Sequence, residues 1–458
     1  VNFDCRTVFS EVFHQKGGFD VVIGNPPYFN VSTISKEFYH YLAEYYKSIH
    51  TGYNDIVYYF IYVGIEFLNR NGCCSFITSN YYLGNEYAKN LRKYLKNHIS
   101  KIVNFKDHMV FDEASIHTCI SLSHKETKST EVIFFETATA EKITSSDIEA
   151  QLRYFAIKRA DLNEDWLVAD QPASSIIGKL NKGSILLGDI ATIEKGSTSG
   201  KNNVFTISRE LAREKKFEKE LLRRNLKNGD IEKYAIRDRE NYLIYVDNDT
   251  EIKNFPKIYS YLESYKDALK DRNEVANGLY PWYRLERPRN KAIFDASEKI
   301  VVPYRAENNR FAYDNAQYFN DGGDIRAIVI NDGKVNIKYV LALLNSKLVY
   351  WFYGFIGKPK GKVREYFNRP LSLIPIKKIL LAEQQPFITL VDQILAAKQN
   401  PPHPPLSKGG NNESSPLYKR GDRGDFIDTS VLEREIDKMV YELYGLTPEE
   451  IAIVEGKG

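Results

Sequence analysis

Asn25, Pro26, Pro27 and Tyr28 follow one another directly after a short apolar run, and together they offer an amide, two rings that fix the backbone, and a phenol. Consecutive prolines lock two φ angles and remove two backbone donors, so the segment is stiff and its carbonyls are free to accept. The run before it, Asp20 to Ile23, reads as a buried strand. Open α/β sheets place their ligands at the carboxyl ends of strands, and there the Asn25 amide, a proline carbonyl and the Tyr28 ring would face one small volume. A flat ring bearing an amino group suits that volume. A plain strand-ending turn is the competing reading, because Asn-Pro opens many turns.

These residues resemble motif IV of the amino methyltransferases of DNA, in the form found in adenine-specific enzymes of the gamma class, TaqI-like enzymes and the methylase part of fused, type IIG-like restriction-modification proteins among them. The resemblance implies that the Asn25 side-chain oxygen and the Pro26 carbonyl accept from an exocyclic amino group. They would localise its lone pair toward the methyl of S-adenosylmethionine, with no covalent enzyme intermediate. Pro27 stiffens that clamp, and Tyr28 stacks on a base swung out of the duplex. The order helix, glycine, strand, Thr78-Ser79-Asn80 resembles motifs V and VI, which implies that Asp55 and Phe60, with Asn25, border the cofactor pocket. Val110-Phe111-Asp112-Glu113-Ala114 resembles motif VIII, whose aromatic, here Phe111, covers the second face of the base. On the residues alone, Phe60 is equally a core aromatic on an apolar helix stripe, and Phe111 a strand-end hydrophobe.

The elements that would position these groups follow from periodicity. Phe38 to Tyr46 has helical spacing, and Asp55 to Leu68 carries an apolar stripe that Asn71-Gly72 would end. Strands are expected at Cys74 to Thr78, Lys101 to Phe105, Thr118 to Leu122 and Glu131 to Phe135, with a helix over Glu86 to Asn97. The expected fold is α/β: the carboxyl-terminal half of a Rossmann-like methyltransferase sheet, residues 1–140, a connector over 141–171 that includes Trp166, and then an α+β DNA-specificity domain. Only twenty-four residues precede Asn25, too few for the Gly-rich loop that cradles the cofactor, so the first unit reads as truncated at its amino end. A separate amino-terminal polypeptide carrying that loop, or a nuclease, is then a partner to expect beside double-stranded DNA.

Residues 172–380 resemble the TaqI-like carboxyl-terminal specificity domain. Leu186 to Ala191 reads as a strand entering a Gly/Ser loop, Lys195 to Lys201, which lacks P-loop spacing and is either a DNA-backbone contact or a surface loop. Basic and aromatic residues interleave between Lys215 and Arg310, and Arg223, Arg224, Trp282, Arg287 and Arg289 are the candidate DNA contacts as a group. A helix is expected within Leu341 to Phe355, another over Glu383 to Lys398 within 381–400, and one over Ser430 to Tyr444 with a Gly445 stop in the final segment, 426–458. Between them Pro401 to Asp425 mixes proline, glycine and charge in a way that builds no core and reads as a disordered insertion.

A net charge of only +3 means that any polyanion must meet a local basic patch. The four cysteines, Cys5, Cys73, Cys74 and Cys119, lack metal-type pairing and read as reduced thiols; no metal site is expected, and the cytoplasm is the default compartment. No eighteen-residue apolar span points to a membrane. Three function classes stay open: a site-specific DNA adenine methyltransferase of a restriction-modification system, a catalytically incomplete specificity subunit, and a methyltransferase acting on amide nitrogen in a small molecule or protein. The basic-aromatic second half argues against the last.

Overall fold

The computed structural model describes residues 4–457 other than 107, 109, 112–115, 138–151, 163–165, 167, 361–362 and 400–427. The insertion expected over Pro401 to Asp425, and Asp112 to Ala114 beside Phe111, lie outside the described residues. The chain divides into two units, Val1–Ser175 and Ile176–Gly458.

The first unit is a mixed, Rossmann-like sheet of six strands: β1 Phe19–Gly24, β2 Leu68–Ser79, β3 Ile99–Asn104, β4 Thr118–His124, β5 Glu131–Thr137 and β6 Leu152–Lys158, in the order β1-β2-β4-β3-β5-β6. β1 runs parallel to β2 and β3 to β5, while β4 opposes both its neighbours and β6 opposes β5. The helix Ile56–Glu66 is apolar on nearly every face, and such a helix must be buried. Val57, Tyr58, Ile61 and Ile65 accordingly share a core with Phe76, Ile102 and Phe134 of the sheet.

Three sequence expectations need correction here. Asn71-Gly72 does not end that helix, which stops at Phe67; both residues lie within β2. The register slips from Phe19↔Leu68 to Val21↔Cys73, and Gly72 is required there because an added Cβ would stand 2.6 Å from the Phe19 carbonyl oxygen. Part of the expected connector is sheet: Leu152–Lys158 pairs along β5, burying Phe155 and Ile157 while Tyr154 and Ala156 face outward. Trp166, expected to pack on one of the two domains, does so in the first unit's core. The helix expected over Glu86 to Asn97 opens as a 3-10 turn, Glu86–Ala88, before Lys89–Leu95.

The second unit is α+β. Its central sheet is antiparallel, in the order Ala312–Asp314, Lys299–Pro303, Ile325–Ile330, Ala191–Lys195, and a smaller one runs Leu222–Arg224, Asn241–Ile244, Thr206–Ser208. The strand expected from Leu186 to Ala191 is interrupted: Ser184–Leu186 is extended, Leu187–Ile190 turns helically, and the next strand starts at Ala191. The single helix expected within Leu341 to Phe355 is two, Ile337–Asn345 and Lys347–Ile356, bent by 72° where the Ser346 hydroxyl accepts from the Val349 N–H. No single described helix is long and apolar enough to cross a membrane. Ser430–Tyr444 ends at Gly445, φ 67°, the left-handed stop that glycine favours.

Candidate active site

β1 ends at Gly24, and the next four residues alternate in exposure: Asn25 is open to solvent, Pro26 buried, Pro27 exposed and Tyr28 half-buried against the core beneath the sheet. The stiff proline pair thus turns Asn25 outward and Tyr28 back over the strand ends. The Tyr28 hydroxyl lies 2.5 Å from Asn25 Oδ1 and 3.1 Å from the carbonyl oxygen of Ile77 in β2. Burial, with Cys119 close by, pushes the Tyr28 phenol above its ordinary range, so it stays protonated and has that proton to donate to Asn25 or Ile77. Asn25 Oδ1 keeps a second lone pair free, already aimed by the first contact.

The chain beyond Tyr28 is fastened to the helix Ile56–Glu66. The Ile56 N–H donates to the Phe29 carbonyl at 2.9 Å, the Val31 N–H to the Asn54 carbonyl at 3.0 Å, and Asn30 bridges Asp55. Asp55 caps the helix by accepting from the Val57 N–H at 3.3 Å. Burial pushes its carboxyl upward against the pull of the backbone donors of Val57 and Ile56. Phe60 is 44% exposed on a helix whose Val57, Tyr58, Tyr59 and Ile61 are all buried, so it is not a core aromatic. Asn25, Tyr28 and Asp55 are therefore joined through one tied segment, with Phe60 about one and a half turns along the helix. Phe111 sits half-buried in coil, and no hydrogen bond or ring contact among the described residues joins it to Asn25 or Tyr28.

Sequence reasoning missed two features of this site. One is the Ile77 carbonyl, which steadies the phenol from the neighbouring strand. The other is the register pair Ser79 and Thr118 at the carboxyl end of β2, whose buried hydroxyls have no hydrogen-bond partner among the described residues. The Thr78-Ser79-Asn80 run was the available signal. Nucleophilic thiol chemistry is excluded for the buried cysteines: burial pushes Cys119 up to about 11 and Cys74 up to about 12.

In the second unit the candidate DNA contacts part company. Arg223 is drawn inward, donating to the Glu220 carbonyl at 2.8 Å with Asp295 at 3.7 Å and its guanidinium over Phe319. Arg224 lies over Tyr318 with Asp238 at 3.8 Å, and Trp282 packs half-buried on the unit's core beneath Lys266. Arg287 is answered by Glu274 and Glu286, each at 3.4 Å. Arg289 is exposed, with no ion pair or hydrogen bond among the described residues.

Residues 1–111 match the Eco57I restriction-modification methylase family, and residues 224–376 match the TaqI-like C-terminal specificity domain. The chain is 24% identical over 382 residues to the type II restriction enzyme and methyltransferase RM.Eco57I of Escherichia coli, a match covering 74% of this chain and 38% of that protein. It is 25% identical over 395 residues to the type II methyltransferase M.HindII of Haemophilus influenzae, covering 80% of this chain and 76% of that one. The chain thus spans well under half of the first relative and three quarters of the second. In fold it is similar to the type IIL restriction-modification enzyme MmeI solved in complex with DNA, with a TM-score of 0.60 and 15% identity over 95% of this chain and 56% of that one. The chain thus carries an Eco57I-type restriction-modification methylase domain followed by a TaqI-like C-terminal specificity domain, and the relatives it is similar to are type II restriction-modification methyltransferases.

Proposed function

We propose that this chain is a DNA methyltransferase of a restriction-modification system that modifies the exocyclic amino nitrogen of adenine in double-stranded DNA. The observation that carries the reading is the Asn25 side-chain oxygen, exposed at the end of β1 and held at 2.5 Å by the hydroxyl of Tyr28. An amino group conjugated with a purine is a poor nucleophile, and acceptors fixed in advance against its hydrogens concentrate its lone pair on the reacting side. Asn25 offers one such acceptor at no reorganisation cost, and Pro26 is the source of the second. The Tyr28 ring supplies one stacking face for an everted base, and Phe111 is the candidate for the other.

The residues present fit S-adenosylmethionine. Asp55 is a partly desolvated carboxylate with no cation paired to it among the described residues, and Phe60 is an outward aromatic on the same helix. Asp55 would hold polar groups of the cofactor and Phe60 would pack on its adenine, beside Asn25. When bound, the cofactor supplies an electrophilic methyl on a sulfonium.

β1 is an edge strand with Val21 60% and Ile23 79% exposed, and the Gly-rich loop expected of the family is not among the described residues. This edge favours a form in which a further parallel strand, on the same or a separate polypeptide, completes the sheet and brings that loop. In its absence the chain would act as the alternative, a DNA-binding specificity subunit. Transfer of labelled methyl to plasmid DNA by the chain, alone and mixed with a polypeptide carrying the loop, tests both readings. Loss of transfer in Asn25→Ala of an active preparation is expected. Unchanged transfer refutes the catalytic assignment, and DNA binding without transfer under every condition leaves only the specificity-subunit reading.

A further inference from the structure

In the second unit's central sheet, Lys195 stands in register opposite Arg326 across an antiparallel pair. Like charges directly opposite on paired strands destabilise a sheet. Arg326 is only 4% exposed, a depth at which a cation ordinarily needs an anionic partner. It donates instead to two carbonyls, Gly323 at 3.2 Å and Ile325 at 2.9 Å, and its guanidinium carbon lies 4.8 Å from the Tyr304 ring centre. Its Nε has no partner among the described residues. No described ion pair involves Lys195, Arg326 or Arg289. The neighbouring carboxylate, Glu194, accepts from the backbone N–H of Lys195 at 2.9 Å.

The surroundings hold this repulsive pair in place. At Gly323, φ 65°, an added Cβ would stand 2.5 Å from Lys195 Cε, so glycine is what leaves room for the lysine stem. The Gly/Ser loop that follows Lys195 is wired to a buried acid: the Ser199 N–H and hydroxyl donate to the two Asp321 carboxylate oxygens at 2.8 Å each. The Ser197 hydroxyl donates to the Pro288 carbonyl at 2.7 Å, fixing the segment that bears Arg289. Arg289 itself is in the left-handed region at φ 65°, a conformation that costs a non-glycine residue energy and persists where the surroundings impose it. The Thr198–Arg287 backbone bridge runs beside it, and burial, then the charges of Arg326, Arg289 and Arg287, hold the Lys195 ammonium below its ordinary range.

Resting on the reading of this unit as a DNA-binding module, we infer that Lys195, Arg326 and Arg289 form a seat for one phosphodiester of duplex DNA, whose charge answers the unneutralised cross-strand pair. A phosphate offers several acceptor oxygens to converging cationic donors, and such contacts fix register on the duplex without reading sequence.

The test compares the full chain with Lys195→Met, and with Lys253→Met as an exposed charge-loss control, in binding cognate and unrelated duplexes across a salt series. For Lys195→Met the slope of log K against log salt should fall by about 0.9, the release expected for one lost phosphate contact, with affinity lowered alike for both duplexes. The control should keep the wild-type slope. Urea unfolding should show Lys195→Met at least as stable as the wild type, because the repulsion is relieved; this separates a ligand seat from a structural lysine. An unchanged slope in Lys195→Met, or a loss confined to the cognate duplex, overturns the phosphate seat while the DNA reading stands. A wild-type chain that binds no duplex overturns both.

Discussion

The contact between Tyr28 and Asn25 allows a graded prediction about how an amide is kept ready for a base. Tyr28→Phe removes only the hydroxyl that lies 2.5 Å from Asn25 Oδ1 and 3.1 Å from the Ile77 carbonyl, and keeps the ring. A hydrogen bond of this kind contributes about 1 kcal/mol net, so if its whole value goes into orienting the amide, methyl transfer slows about fivefold. Tyr28→Ala also removes the ring proposed to stack on the base, about 1–3 kcal/mol for a base on an aromatic ring, and the two losses together would reach about 2–4 kcal/mol, a slowing of roughly 30-fold to 1000-fold. Asn25→Ala removes the acceptor itself, and by comparison with deletion of a preorganised catalytic hydrogen-bonding group should cost about 10²–10³ in rate. Single-turnover transfer of tritiated methyl to plasmid DNA gives the rates, and a fluorescent adenine analogue at the target position reports eversion independently. The expected order is wild type, Tyr28→Phe, then Tyr28→Ala, with the fluorescence signal kept in Tyr28→Phe and weakened in Tyr28→Ala. If Tyr28→Phe is as slow as Tyr28→Ala, the ring contributes nothing and stacking is refuted. If neither variant slows, the phenol does not orient the clamp.

The remaining predictions concern stability and reactivity. Lys299 and Asp314 form an ion pair of 2.6 Å with neither side chain exposed, so Lys299→Met strands a buried carboxylate and should cost about 3–5 kcal/mol in urea unfolding; a loss under 1 kcal/mol would mean the pair is relaxed or hydrated. Hydrogen bonds from Lys347 and Lys457 hold the Glu455 carboxyl down to about 2. Its folded value is depressed below the unfolded one, so its contribution is complete above about pH 4.5 and is lost as pH falls toward 2, a change of about 1 kcal/mol after solvent screening that Glu455→Gln should abolish. Cys74 and Cys119 are buried with raised thiols, whereas Cys5 and Cys73 are partly exposed, so a thiol reagent should modify two cysteines in the native protein and four in urea. Native labelling of Cys119 would contradict the packing beneath the strand ends.

Much of the first unit was legible because its segments are short, apolar and clearly bounded. The β1 run, the helix Ile56–Glu66 and the strands β3, β4 and β5 were recognisable from their apolar residues, although the carboxyl end of that helix was not. Asn25-Pro26-Pro27-Tyr28 announced itself because proline rigidity and an acceptor amide are properties of residue type. Tertiary structure decided what periodicity cannot encode. Gly72 looked like a helix stop, but its reason is a carbonyl 2.6 Å away on another strand. Leu152–Lys158 became sheet only because β5 offered an edge to pair with. Phe60 carries the same sequence signal whether it faces the core or away from it, and only packing turned it outward. Among the basic residues, sequence marks charge but not its neutralisation: Arg223 is spent on Asp295 and a local carbonyl, while Lys195, which the sequence marked only as the start of a Gly/Ser loop, faces another cation. Charge type belongs to the sequence, and whether a charge is answered is a property of the folded register, because partners fifty to two hundred residues apart meet only there.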